Sequence, residues 1–157
     1  MHKGSTRFLS LALTLVMLLG LLPGTALAAE GILSGDGTAD SPYLIADEAD
    51  LKAFRDMVNE TVSSDAYAKL TEDIDLKGEA WTPIAPNSGY VTEAYAGVFD
   101  GDGHTISGLS VNATATNQGL FGVINGATVK NLTVKGSVVS SKAYVGGIVG
   151  KVQQGTV

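Results

Sequence analysis

The segment Asp100-Gly101-Asp102-Gly103-His104 holds the densest group of side chains in this sequence that could perform chemistry. Its two aspartates have the spacing of the first two ligands in a calcium-binding loop. However, His104 and Thr105 replace the third ligand and the turn glycine, and Val111 stands where the bidentate glutamate belongs. The helix-loop-helix calcium site is therefore excluded. A simpler metal site at Asp100 and Asp102 stays open beside a plain glycine-rich turn.

The same segment could supply acid-base groups for cleaving a polysaccharide. Such cleavage needs two cooperating groups on one face, yet the chain carries no acidic residue after Asp102 and no histidine between His2 and His104. The sequence also lacks zinc-peptidase, serine-hydrolase and phosphate-loop motifs, and it has no cysteine. We therefore predict a non-catalytic protein without a cofactor. A secreted glycan-active enzyme is the alternative.

Aromatic residues offer a second kind of site, because exposed aromatic rings are good anchors for sugars or proteins. Trp81, Tyr90 and Tyr95 are the candidate ligand contacts, with Tyr144 further along the chain. Tyr90 and Tyr95 belong to a stretch that is typical of a long loop, where functional contacts often lie. Most of these rings are nevertheless expected to pack in the core.

Composition limits the partners and the size of the protein. The 157 residues carry a net charge of −6, so the chain lacks the positive field that binds phosphate backbones, and we expect no nucleic-acid partner. This length fits one modest domain. All acidic residues lie between Glu30 and Asp102, and only lysines carry formal charge after Asp102.

The first residues have the layout of a secretory signal peptide. Lys3 and Arg7 precede an apolar run over 8–22, and small residues follow at Ala26 and Ala28. We predict a signal peptide over 1–28 and a mature chain over 29–157, with cleavage after Ala29 as the alternative. An uncleaved anchor is less favoured, because the apolar run is shorter than the roughly 20 residues that span a bilayer. The mature chain is therefore expected to be secreted and extracellular, associated with the cell surface, without a transmembrane span.

One helix and one strand can be placed from apolar spacing. Residues 47–59 have apolar side chains on one helical face, with Asp47 as the N-cap and acids in the first turn. Over 70–76 the alternation predicts a strand with Ile74 and Leu76 inward and the acids outward.

Repeats dominate the second half of the chain. Residues 105–111 match 128–134 at an offset of 23, and Gly108 and Asn131 fall at a bend where a left-handed backbone is needed. A second repeat relates 97–99, 119–121 and 147–149 at offsets of 22 and 28. The offset of 23 predicts that Ile106 covers Val129, that Leu109 covers Leu132 and that Gly108 lies over Asn131.

Repeats of this length indicate a solenoid, because one unit has too few apolar residues to close a core alone. We predict an all-β, right-handed parallel β-helix with rungs over about 70–157 and a short N-terminal capping α-helix at about 47–59. The chain stops inside a repeat at Val157. It is therefore expected to be the N-terminal part of a longer protein, truncated at its C-terminus, that continues into further repeats or an anchoring module.

Six ordered blocks resemble bacterial surface proteins that carry the GLUG motif: 35–45, 51–56, 70–76, 81–84, 99–106 and 119–122. The sequence departs from that pattern at Ala85-Pro86 and at Ile148. The resemblance implies a non-catalytic, adhesin-like β-helical region that is structural or adhesive and presents loops to a host glycan or protein ligand. It also implies an alternative, the non-catalytic flank of a secreted metallopeptidase.

Overall fold

The computed structural model describes residues 33–60, 64–86 and 94–157, and the predicted signal peptide lies outside these ranges. The described residues form mostly β-strands with one short helix, which confirms the all-β prediction at this level. The elements are β1 Tyr43–Ile45, α1 Glu48–Glu60, β2 Tyr67–Leu70, β3 Ile74–Asp75, β4 Val98–Asp100, β5 Thr105–Ala113, β6 Phe121–Lys130, β7 Thr133–Ser140 and β8 Val149–Thr156.

The strands form two parallel sheets. The larger sheet has the order β1-β2-β4-β6-β8 and the smaller has the order β3-β5-β7. Every pairing between these strands is parallel. From β2 onward, consecutive strands alternate between the sheets, so each strand lies beside the strand two places earlier in the chain. The connections from one sheet to the other are therefore corners rather than hairpins.

The register of the strands corrects the prediction from the offset of 23. Ile106 lies opposite Val134, not Val129, and Leu109 lies opposite Gly136, not Leu132. The reason is that 128–134 spans two elements: Val129 belongs to β6 and pairs with Phe99 in the larger sheet. The offset of 23 therefore matches similar local sequences that do not stack on each other.

The offset of 28 occurs in the actual pairing of the last strands, in parts of β5–β7 and β6–β8. Phe121 lies opposite Val149 and Thr128 lies opposite Thr156, each 28 residues apart. The same separation relates Thr105 to Thr133 in the smaller sheet. A strand pairs with the next strand of its own sheet, so the separation must include the corner and the strand in the other sheet.

Both predicted bend residues have left-handed backbones, with φ of 69° at Gly108 and 53° at Asn131. They occupy different places, however. Gly108 lies within β5, where the pairing with β7 shifts between Ile106 and Leu109. Asn131 lies at the corner between β6 and β7, and its carbonyl accepts a hydrogen bond from the Gly103 N–H at 2.8 Å. Gly108 therefore does not stack on Asn131.

A single apolar core receives side chains from both sheets and from α1. Leu51, Phe54 and Val58 of the helix are buried in it. The Phe54 ring lies 5.8 Å from the Phe99 ring, and Phe99 lies 5.3 Å from Phe121, measured between centroids. These aromatic contacts join the helix to β4 and β6 in one packed layer.

The predicted strand over 70–76 is divided between the sheets. Leu70 ends β2 in the larger sheet, whereas Ile74 begins β3 in the smaller one. The predicted facing is nevertheless confirmed, since Ile74 and Leu76 are buried and the acids at 72, 73 and 75 are exposed. The chain turns between the strands while its apolar side chains stay inside.

The helix begins at its predicted cap. Asp47 Oδ1 accepts a hydrogen bond from the Asp50 N–H at 2.9 Å, and Asp50 Oδ2 accepts one from the Ala46 N–H at 3.0 Å. These contacts satisfy N–H groups that the helix itself cannot pair. Across the described ranges, α1 falls short of the length and apolar character that a bilayer-crossing helix needs.

Candidate functional site

The aspartates of the Asp-Gly-Asp-Gly-His segment lie at the corner between β4 and β5, which we call the charged corner. Because β2, β4 and β6 are neighbours, Lys69, Asp100 and Lys130 form one row across three strands. Lys130 Nζ lies 3.1 Å from Asp100 Oδ2, and Lys69 Nζ lies 3.0 Å from Asp102 Oδ2. Each candidate aspartate therefore has a lysine partner from an adjacent strand.

Asp100 makes the most contacts in the charged corner. Its Oδ1 accepts hydrogen bonds at 3.0 Å from the Asp102 N–H and from Asn131 Nδ2. Partial burial acts to raise the pKa of Asp100, but the hydrogen bonds from Asp102, Asn131 and Lys130 outweigh it and lower the pKa. The carboxylate is therefore held in its charged form.

His104 lies on the other side of the corner, against an aspartate that the sequence analysis did not select. Its Nδ1 lies 3.2 Å from Asp73 Oδ1, which also accepts the Thr105 N–H at 2.9 Å. The hydrogen bond from Thr105 and then that from His104 lower the pKa of Asp73. β3 and β5 are paired, so these residues meet although they are 31 positions apart.

The ion pairs of the charged corner join neighbouring strands of the larger sheet. Asp73 and Asp100 both have lowered pKa values, so both carboxylates are held in their charged form. Within the described ranges no three acidic or histidine side chains converge to hold a metal ion. Asp100 and Asp102 instead face separate lysines, which neutralise the charge that a cation would require.

Two of the aromatic candidates lie in the core, in agreement with the expectation that most of these rings are packing residues, so Trp81 and Tyr95 are not exposed ligand contacts. Trp81 is 6 % exposed, and its Nε1 donates a hydrogen bond to the Leu120 carbonyl at 3.1 Å. Tyr95 is fully buried, and its hydroxyl donates to the Ala66 carbonyl at 2.7 Å. Burial raises the pKa of Tyr95. Both rings satisfy their polar atoms inside the protein, so neither is available to a ligand.

The other two aromatic candidates have different outcomes. Tyr90 lies outside the described residues. Tyr144 is 54 % exposed, and Lys151 Nζ lies 5.0 Å from the centroid of its ring. Among the described members of the group, Tyr144 is thus the exposed one, and a lysine lies over its ring.

A cleft of about 420 Å³ lies where the chain enters the fold, and the sequence analysis did not find it. It is lined by residues 36–39, Tyr43 and residues 65–67. The two tyrosines are half-buried, whereas Asp36 and Asp65 are exposed. The sequence signal that could have indicated it is the pair of glycines at 35 and 37, which marks a turn just before Tyr43.

Comparison with known proteins yields two distant relatives. A halomucin from Haloquadratum walsbyi is 39% identical over 138 residues, covering 81% of this chain but 1% of the halomucin. A putative Gly-rich membrane protein from Evansella cellulosilytica is 34% identical over 127 residues, covering 74% of this chain and 14% of that protein. The chain thus spans a small part of both relatives. No protein-family model and no solved structure matches it.

Proposed function

We propose that this chain is a right-handed parallel β-helix that serves as a non-catalytic, structural or adhesive module of a larger bacterial surface protein. The observation that carries the proposal is the parallel stacking of strands that alternate between two sheets. A coil that passes once through each sheet per turn is the simplest path that accounts for this alternation. The general right-handedness of parallel crossovers supports the hand.

Contacts outside the regular strands support the same coil. Parallel bridges join Ile84 to Phe121, Tyr95 to Ile124 and Gln118 to Val145. The chain between strands therefore also lies over the preceding or following turn. Such a column is stiff because each turn contacts only its neighbours through a continuous ladder of hydrogen bonds.

The position of α1 supports its proposed role as a cap. The helix follows β1, the edge strand of the larger sheet, and buries Phe54 against the core. An uncovered end of a solenoid would expose apolar side chains and invite pairing with other chains. A helix at this end protects the column from that association.

Export and surface association rest on the predicted signal peptide, on the GLUG resemblance and on the names of the two relatives. One relative is named a halomucin and the other a membrane protein. The proposed module would hold its loops away from the cell and bind a host glycan or protein through side chains, without turnover. The lysine-paired aspartates of the charged corner support this absence of catalysis.

One observation favours a glycan-active enzyme as the second candidate. His104 and Asp73 form an imidazole–carboxylate pair at 3.2 Å on an exposed surface. Such a pair can move a proton when a second group cooperates with it. For the other alternative, the flank of a secreted metallopeptidase, residues 33–60, 64–86 and 94–157 offer no comparable supporting feature.

A polysaccharide panel separates the two functions. The purified mature chain would be tested for retention on each polysaccharide and for release of reducing ends. We expect retention on at least one polysaccharide and no release of product. Release that is lost in Asp100→Ala, Asp102→Ala or His104→Ala, but kept in the exposed control Asp40→Ala, would replace the module with the enzyme.

A further inference from the structure

The cleft beside the entry of the chain, which we call the tyrosine cleft, has a rigid wall. The loop over 36–41 is closed by two hydrogen bonds to the Ser41 carbonyl, from the Asp36 N–H at 2.9 Å and the Thr38 N–H at 3.2 Å. The Tyr67 N–H donates to the Gly37 carbonyl at 2.8 Å, which ties the loop to β2. A wall held in this way loses little entropy on binding.

Tyr43 is positioned from two sides. Its ring packs edge-on to the buried Phe54 ring, with the centroids 6.5 Å apart. From the loop side, Gly37 lies so close that a Cβ atom there would be 2.4 Å from Tyr43 Cε2. The ring therefore keeps one orientation beside the cleft.

The charge around the tyrosine cleft is negative and unpaired within the described part of the chain. The ion pairs between described residues involve other acids, and neither Asp36 nor Asp65 takes part in one. Among the described residues that line the cleft there is no lysine or arginine. Two exposed carboxylates beside two tyrosines attract a cation that also has an apolar face.

We infer that the tyrosine cleft binds an amino sugar, a sugar ring that carries a free ammonium group. The apolar face of the ring would pack on Tyr43 and Tyr67, and the ammonium group would pair with Asp36 or Asp65. An anionic sugar would be repelled, and a neutral sugar would leave both carboxylates without a cation. A lysine side chain has the charge, but its narrow stem would fill little of a cleft of about 420 Å³. The inference rests on the adhesive part of the proposed function and gives it a site and a ligand class.

Two oligosaccharides test the inference, one with free ammonium groups and one in which neutral acetamido groups replace them. The full mature chain would be titrated calorimetrically with a glucosamine hexamer and with its neutral N-acetylated counterpart, at about pH 6 and low salt. We expect the glucosamine hexamer to bind at least roughly ten-fold more tightly, and we expect added salt to weaken its binding. Equal affinities for the two hexamers, or tighter binding of a blocked lysine peptide than of the glucosamine hexamer, would overturn it.

Variants locate the binding in the cleft. Asp36→Asn combined with Asp65→Asn should lower the affinity roughly ten-fold or more, while Asp40→Asn, an exposed acid of the same loop, should leave it unchanged. Gly37→Ala should also weaken binding, because the added methyl group displaces Tyr43. Its control is Gly78→Ala. The backbone strain should be similar, since φ is 74° at Gly78 and 73° at Gly37, but no atom lies within 4 Å of a Cβ atom added at Gly78.

The outcomes separate this inference from the adhesive function itself. Unchanged binding in the double aspartate variant would place the ligand elsewhere and overturn the assignment of the cleft. Binding of only neutral glycans in the polysaccharide panel would overturn the inference as well, but it would leave the adhesive function standing. Failure of every glycan and protein to bind would overturn both.

Discussion

Glu48 shows how single charged residues stabilise this fold. Its carboxylate is paired with Lys52 Nζ at 2.5 Å and with Lys77 Nζ at 2.8 Å. Lys52 also lies 2.9 Å from Glu79, so the network joins the first turn of α1 to the chain after β3. Hydrogen bonds from Lys52 and then Lys77 lower the pKa of Glu48 to about 2. The sequence shows acids near the start of a helix, but their lysine partner at position 77 becomes visible only in the structure.

Replacing Glu48 should change how the free energy of unfolding depends on pH. Its pKa falls from 4.5 to about 2 on folding, so its contribution to the free energy of unfolding is present above about pH 4.5. That contribution is lost as the pH falls toward 2. We expect Glu48→Gln to lower the free energy of unfolding by about 1 kcal/mol near pH 7, because the lysines are solvent-screened, and by almost nothing near pH 2. Urea denaturation at several pH values measures the difference.

The control for this prediction is Glu72→Gln, because Glu72 is exposed and forms no ion pair with another described residue. It should leave the pH dependence close to that of the unmodified chain. A Glu48→Gln protein that loses as much stability on acidification as the unmodified chain would show that the network does not carry the expected linkage.

At the scale of the element, α1 is defined largely by its own sequence. The N-cap, the acidic first turn and the apolar face were all predicted, and the structure places them over Glu48–Glu60. The end of the helix depends on tertiary contacts instead. Asn59 Nδ2 donates to the Pro83 carbonyl at 3.0 Å, and Asn59 Oδ1 accepts the Ala85 N–H at 2.7 Å. The last turn of the helix is thus bound, through Asn59, to a loop 26 positions further along the chain.

The cap can be tested by two substitutions at one residue. Asp47→Ala removes the oxygen that accepts the Asp50 N–H, so the free energy of unfolding should fall by about 1 kcal/mol. Asp47→Asn keeps an acceptor at this position and should recover most of that loss. Thermal unfolding followed by circular dichroism would measure both. Equal destabilisation by the two variants would mean that charge rather than hydrogen bonding makes the cap effective.

The close approach of β5 and β7 leads to a second prediction at the scale of the element. Gly136 of β7 faces Leu109 of β5, and a Cβ atom at Gly136 would lie 2.1 Å from the Leu109 carbonyl oxygen. Gly136→Ala must therefore separate the two strands, and we expect it to lower the free energy of unfolding by about 1–3 kcal/mol. Gly147→Ala is the control, because nothing lies within 4 Å of its added methyl group. Similar urea midpoints for the two variants would contradict the register of β5 and β7.

At the scale of the whole molecule, the separation between paired residues of β5 and β7 decides which side chains meet: it is 28 residues at Ile106 and 27 from Leu109 onward. Spin labels can test it, since the chain contains no cysteine that would compete for the label. Asn112 and Val139 lie opposite each other and are exposed. Labels on Asn112→Cys and Val139→Cys should show strong dipolar broadening, because neighbouring strands lie about 4.8 Å apart.

The matched pair for this experiment is Asn112→Cys with Lys135→Cys, which the offset of 23 would bring together. Lys135 is also exposed, but it lies four residues before Val139 and thus about 13 Å along β7. Its labels should show much weaker broadening. Stronger broadening for Asn112 with Lys135 than for Asn112 with Val139 would show that residues 23 positions apart stack on each other. It would remove the basis of the proposed coil.

The sequence by itself determined the local features of this protein: the capped helix, the inward facing of Ile74 and Leu76, and the left-handed backbones at Gly108 and Asn131. These depend on the sterics of a residue and its near neighbours, which a short stretch of sequence contains. Only the tertiary structure decided that β5 pairs with β7 in the observed register, that Trp81 and Tyr95 are buried, and that Asp100 meets Lys130. These depend on corner lengths and on contacts between residues about 30 positions apart, where a difference of a few residues changes every partner.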